Sequence, residues 1–276
     1  MTRHIALPKN KSFLLLALLL CLPAVSPAYE GDPITNAITD LKYMQSAPSR
    51  VLEDPGGDAY LAGGLLGVGL FLYSEDRQGV KLIRVNRTAG LDKAANTAEK
   101  VGNGAYELAL LGVFAGTGYV FKNDKLKDTA FIAAESFLAA NAVGTVVKYA
   151  VGRARPYTGD GKLAFKPFSF NNTHLSFPSG HTTSAFSVAS VFAMQYESPV
   201  VGILAYGAAA ATGLQRIYSN NHWPTDVFAG AVLGTVTGRL AVNRARRKAA
   251  GKEDLTFYPF VSPQASTLGL GMKLAF

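Results

Sequence analysis

The sequence predicts an all-α protein, a bundle of six helices followed by a C-terminal β-hairpin. Three observations carry that prediction. Six apolar segments, near residues 60–73, 104–121, 130–147, 182–196, 200–214 and 227–242, are rich in Ala, Leu, Val and Gly and have the lengths of helices rather than strands. Only the tail alternates apolar with small or polar residues. There Leu255 to Val261 and Leu268 to Phe276 flank Ser262-Pro263-Gln264, the pattern of a hairpin. Finally, apolar residues make up 49% of the 276 and charged residues 17%, a composition that excludes disorder.

The segments fall into a domain order. Residues 1–28 read as an export signal: Arg3, Lys9 and Lys11 precede the unbroken apolar run Phe13 to Leu22, and Ser26 and Ala28 offer the small residues of a cleavage site. Removing three basic and no acidic residues takes the net charge from +8 to +5, and it also removes Cys21, the single cysteine. Neither a disulfide framework nor a cysteine metal cluster is then available. Residues 29–57, with Pro33, Pro48 and Pro55, form an irregular lead-in. Residues 58–250 hold the helical domain. In it, 122–128 reads as a helix connection and 152–180, with its Gly, Pro, Asn and Phe, as a functional loop. Residues 251–276 hold the hairpin, expected to fold against the bundle.

Membrane crossing is decided by charge. Glu107, Glu135 and Arg239 interrupt three segments, and a charge at mid-bilayer costs about 2.5–3.5 kcal/mol on insertion scales. The run Arg244, Arg246, Arg247 and Lys248 after the last segment fits either a cytoplasmic flank or a solvated helix end. The balance favours an exported periplasmic bundle, attached at most electrostatically to an anionic membrane surface. The alternative is an integral membrane protein with its site facing outward. With no basic stripe interleaved with aromatics, the sequence gives no reason to expect a nucleic-acid partner.

Three stretches carry chemistry. In Lys148-Tyr-Ala-Val-Gly-Arg-Ala-Arg155-Pro156, the two outer cations are seven residues apart, two helical turns, which places them on one helix face about 10 Å apart along the axis, with Pro156 stopping the helix. The plainer reading is a basic helix end. In Pro178-Ser179-Gly180-His181, a glycine admits a ligand close to the backbone and helix-start amides face an anion. Thr182, Thr183 and Ser184 are alternatively only caps. In Arg216-Ile-Tyr-Ser-Asn-Asn-His222-Trp-Pro-Thr-Asp226, His222 and Asp226 are four apart, the spacing of one helix face. A carboxylate bonded to one imidazole nitrogen leaves the other as a nucleophile. Capping is the plainer alternative. Of the three histidines after residue 28, two fall in these stretches, and the third, His174, reads as a loop residue.

Taken in order, these motifs resemble those of the type 2 phosphatidic acid phosphatase superfamily, which includes bacterial class A acid phosphatases and vanadium haloperoxidases. The resemblance covers roughly residues 90–242, and one departure is visible, Gln215 where the family usually has Ser beside the phosphate-binding Arg. It implies that Lys148, Arg155, Ser179, the Gly180 amide and Arg216 hold the phosphate. It further implies that His222 attacks phosphorus, that Asp226 orients His222, and that His181 protonates the leaving alkoxide, with no metal and no cofactor. The expected activity is hydrolysis of phosphomonoesters or diphosphates in the cell envelope, with a lipid phosphate as first substrate. A soluble broad-specificity acid phosphatase, a vanadium-dependent haloperoxidase and a non-enzymatic binding protein are the alternatives, in that order.

Overall fold

Residues 58–85, 87–250, 256–262 and 267–273 are described by the computed structural model; the expected signal and lead-in lie outside them. Between residues 58 and 250 the described chain is helical, with seven α-helices. They are α1 (Asp58–Val85), α2 (Ala89–Val101), α3 (Gly104–Val120), α4 (Asp124–Val151), α5 (Gly180–Tyr196), α6 (Pro199–Tyr218) and α7 (Pro224–Ala249). Each of the six apolar segments falls in one helix. The additional one, α2, escaped the apolar-run criterion because three polar pairs, Asp92-Lys93, Asn96-Thr97 and Glu99-Lys100, break up its sequence, AGLDKAANTAEKV. It is tied down by the Tyr218 hydroxyl, which donates to Asp92 at 2.5 Å, and by Arg87, which pairs with the same carboxylate. Past α7, Thr256–Ser262 runs antiparallel to Thr267–Lys273.

Local chemistry sets the helix ends. Asn103 accepts from the Ala105 amide to start α3, and Asn123 accepts from the Leu126 amide to start α4. Pro199 and Pro224 open α6 and α7, where a missing N–H costs nothing. The α3–α4 connection is therefore shorter than the charged stretch 122–128, whose second half already belongs to α4.

α5 is the central helix, packed on α4, α6 and α7. Its buried face is made of small polar residues, including Thr182, Thr183, Ser184, Ser187 and Ser190. Their hydroxyls return to nearby carbonyls, as Thr183 does to Ser179 and Ser184 to Gly180. Opposite them α7 presents Gly230, Gly234 and Gly238, four residues apart. A Cβ on Gly234 would sit 2.3 Å from the Thr183 carbonyl oxygen, and one on Gly238 would sit 2.5 Å from that of Ser187. Backbones at this separation pack by close contact of small residues, as in membrane bundles. A smaller apolar core, Leu111, Ala133, Val191, Met194 and Val242, joins α3, α4, α5 and α7.

The outward faces are the opposite of a soluble bundle's. Leu110, Val113, Phe131, Leu138, Val146, Ile203 and Leu204 are exposed. The charges that argued against crossing do not face outward alone: Glu107 and Arg239 are buried, and Glu135 pairs with Arg244 at 2.6 Å. Two described helices, α4 and α6, are long and apolar enough to cross a membrane.

Candidate active site

The first motif is not one helical face. α4 stops at Val151, where Gly152 takes a left-handed conformation (φ 60°, ψ 40°) and donates to the Lys148 carbonyl. Any side chain there would meet the Lys166 carbonyl oxygen at 2.0 Å from its Cβ. Arg155 therefore lies in extended backbone beyond the helix (φ −77°, ψ 152°). What brings the two cations together is the returning loop. Lys148 Nζ and Arg155 Nη2 both donate to the Leu175 carbonyl, at 3.2 and 3.5 Å. Lys148 also donates to the Pro178 carbonyl, and Arg155 Nε to that of Asn172 at 2.9 Å. His174 is, as expected, a loop residue, bonded to its neighbour Thr173.

The second motif starts α5, with Ser179 as its buried N-cap residue. The Ser179 amide donates to the Asp226 carbonyl at 2.9 Å, joining the second motif to the third. Gly180 lies against the first motif: a Cβ there would stand 3.5 Å from Lys148 Cε and 3.9 Å from Nζ. His181 follows. Burial, with the charges of Arg216, Lys148 and Arg155, pushes its imidazole down to about 4, so all three cations act on this ring.

The third motif closes the site. The turn after α6 folds back on the Arg216 carbonyl, which accepts from the amides of Asn221 and His222 at 3.1 and 3.2 Å. His222 thus precedes α7 instead of lying on it, and Asp226 sits in the first turn, where its Oδ2 accepts from the Trp223 amide at 2.9 Å. Asp226 consequently caps the helix and also faces the histidine, with Oδ2 3.7 Å from His222 Nδ1. Burial is the main cause that pushes His222 down to about 3, against the pull of Asp226, and the ring is neutral at ordinary pH. Desolvation opposes the Asp226 charge, but the neighbouring His222 ring and the Arg153 charge outweigh it and hold the carboxyl below its usual range. A proton on Nδ1, aimed at the carboxylate, leaves Nε2 as the nucleophilic nitrogen.

Arg216 is 5% exposed, and its Nε has no partner among the described residues. Its Nη1 reaches only Gln215 Oε1 at 3.3 Å and Glu99 Oε1 at 3.4 Å. Gln215, the departure from the family pattern, is itself buried and supplies an acceptor to Arg216. No ion pair is formed by Lys148 or Arg155 among the described residues, and Glu99 is half exposed to solvent. Three converging cations, Arg216 buried and Lys148 and Arg155 half-buried, with Glu99 as their single carboxylate partner among the described residues, form an arrangement suited to an anion. No group of three or more His, Cys, Asp or Glu able to hold a metal ion is gathered among the described residues.

Two participants were not singled out in the sequence. Ser176 donates to Asp226 Oδ2 at 2.5 Å and lies 3.5 Å from His222 Nδ1. Arg153, two residues before Arg155, is 2% exposed and donates to Asp226 Oδ1 at 2.7 Å. Both sit in stretches otherwise read only as spacers, and nothing in their local pattern separates them from loop residues.

Residues 129–249, which carry every one of these motifs, match the PAP2 superfamily model. That stretch, less than half of the chain, is what resembles the PAP2 superfamily. Two curated relatives share parts of it. A lipid A 1-phosphatase from Porphyromonas gingivalis is 40% identical over 95 residues, 34% of this chain and 18% of that protein. An undecaprenyl-diphosphatase from Sulfolobus acidocaldarius is 33% identical over 110 residues, 39% and 50% of the two chains. The chain thus spans half or less of each of these relatives. The fold extends further: the crystal structure of a transmembrane PAP2 type phosphatidylglycerolphosphate phosphatase from Bacillus subtilis superposes with a TM-score of 0.52 at 22% identity, over 67% of this chain and 95% of that one.

Proposed function

We propose that the protein is a membrane-bound lipid phosphatase that hydrolyses a phosphomonoester or diphosphate through a phosphohistidine, without a metal. The observation that supports this best is the placement of a neutral, Asp-oriented His222 near three cations, one buried and two half-buried, that are short of carboxylate partners. Lys148, Arg155 and Arg216 hold the phosphoryl oxygens and match the charge that develops on them. Ser179 and the Gly180 amide complete the cradle at the start of α5. His222 Nε2 forms the N–P bond as the P–O bond to the leaving group breaks, and His181 delivers a proton to the departing oxygen. Water, deprotonated by the same His181, then cleaves the N–P bond and releases inorganic phosphate.

The same proposal assigns residues 58–250 to the phosphatase domain, 251–276 to a hairpin and 1–28 to an envelope address. It places α4 and α6 across the bilayer. Support comes from the inverted surface, apolar outside and small-polar inside, and from the names of the relatives, which act on lipid A and on an isoprenoid diphosphate. A lipid phosphate is the substrate class these share.

The test is a substrate panel on the detergent-purified chain, comparing phosphatidate, isoprenyl diphosphate, lipid A phosphate and p-nitrophenyl phosphate, each with and without EDTA. Lipid phosphates are expected to turn over faster than p-nitrophenyl phosphate, EDTA to change nothing, and rapid quench to trap an acid-labile, base-stable phosphoenzyme that His222→Ala lacks. Activity that EDTA abolishes and a divalent metal restores, or a phosphoenzyme that survives His222→Ala, overturns the mechanism. Vanadate-dependent bromide oxidation in place of hydrolysis overturns the activity itself.

A further inference from the structure

Behind the nucleophile lies a second, fully buried set of charges that the motifs do not include. Asp76, on α1, is 0% exposed and is more than 140 residues from the nucleophile in sequence. Its Oδ2 accepts from Arg153 Nη2 at 2.6 Å and from the Thr225 hydroxyl at 2.7 Å, and its Oδ1 accepts from the Thr225 amide at 3.0 Å. Asp76 therefore caps the N-terminus of α7 from another helix, at the residue next to Asp226.

Arg153 is the joint. Its Nη1 donates to Asp226 Oδ1 and to the Thr225 hydroxyl, both at 2.7 Å. Nη2 donates to Asp76 and, at 3.3 Å, to the Lys162 carbonyl, which also accepts from Nε at 3.3 Å. All five guanidinium donors are used, so the fork has one orientation. The Trp223 and Tyr73 rings lie 5.4 and 5.3 Å from its guanidinium carbon. Trp223 is held in turn by its indole N–H on the Ala154 carbonyl at 2.9 Å.

The consequence falls on Asp226. Its Oδ1 is occupied by Arg153, while Oδ2 takes Ser176 and the Trp223 amide and faces His222. A carboxylate pinned at both oxygens cannot rotate, and the imidazole it orients is aimed with it. Without Asp76, the guanidinium keeps a single carboxylate partner and is drawn wholly onto Asp226, competing with the histidine for its charge.

We propose that Asp76 is a positioning residue for phosphoryl transfer: through Arg153 and Thr225 it sets the orientation of Asp226, and hence the aim of the His222 nucleophile. The inference rests on the phosphatase reading above. It makes docking of α1 a condition for a competent site, although α1 contributes no group that touches the phosphate.

Asp76→Asn tests it, because the amide keeps the shape and an acceptor while removing the charge. In the full-length chain, with p-nitrophenyl phosphate, kcat and the rate of phosphoenzyme formation are expected to fall together about 10–100-fold, as when outer partners of a catalytic group are lost. KM is expected to stay within about threefold, since the phosphate cradle is untouched. In an Asp226→Asn background the same substitution is expected to change phosphoenzyme formation less than about threefold, because the group it acts through is gone. Thr225→Val, which removes one hydroxyl of the relay, is the second variant and decides the matter where Asp76→Asn does not fold. It is expected to lower kcat at constant KM and to lose that effect in the Asp226→Asn background. An unchanged kcat, a loss expressed in KM, or equal losses in both backgrounds overturns the inference. A wild-type chain with neither turnover nor phosphoenzyme overturns the proposed function and this inference with it, whereas an active wild type with an unaffected variant overturns the inference alone.

Discussion

Anion binding to this site should take up protons, and His181 is one of the groups that take them. In the empty site its imidazole sits at about 4, depressed first by burial and then by Arg216, Lys148 and Arg155. A ring that must donate a proton to the leaving group is therefore neutral before substrate arrives. A bound dianion offsets the three cations and returns the ring toward its ordinary value of about 6.5. At pH 6 the protonated fraction then rises from about 1% to about 75%, an uptake of roughly three quarters of a proton per site. The sign follows: the bound form holds more protons between pH 4 and 6.5, so affinity strengthens as pH falls through that window and flattens below it. Between pH 5 and 7 the dissociation constant should weaken about 20-fold. Calorimetric titration with sulfate, which does not itself titrate here, in two buffers of different ionisation enthalpy reads the uptake directly. His181→Asn should bind sulfate with a smaller uptake than the wild type and a shallower pH dependence below pH 6. Equal uptake in wild type and variant, or proton release on binding, refutes the argument.

Two further outcomes follow from the packing. Gly234→Ala should destabilise the detergent-solubilised protein by about 1–3 kcal/mol despite alanine's better helix propensity, because its Cβ would meet the Thr183 carbonyl oxygen at 2.3 Å. Gly116→Ala, with nothing within 4 Å, should be neutral or raise the melting temperature; thermal unfolding by fluorescence compares the two, and an unaltered Gly234→Ala would contradict the close helix contact. The protein should also stay with the membrane through carbonate and 1 M salt washes, because its exposed faces on α3, α4 and α6 are apolar. Release by either wash in membrane fractionation would restore the peripheral bundle that Glu107, Glu135 and Arg239 first argued for.

Those three charges show where one-dimensional reading stops. A charge within an apolar segment looks the same in sequence whether it faces lipid or the bundle interior. Packing turned Glu107 and Arg239 inward and placed Arg244 on Glu135. The helix α2 was hidden because polar pairs interrupt its apolar residues before they form a run, and it is held by contacts with Tyr218 and Arg87.

The sequence by itself determined the helical class and the six apolar helices, which depend on composition and periodicity, and through the resemblance of its ordered motifs it named eight candidate site residues. Only the tertiary structure decided how they meet. Lys148 and Arg155 converge on the Leu175 carbonyl after Gly152 ends the helix between them, and His222 reaches Asp226 from a turn. Asp76, Arg153 and Ser176 became visible only there. Their role comes from contacts across as many as 149 positions, and a contact of that range leaves no local pattern for a sequence to show.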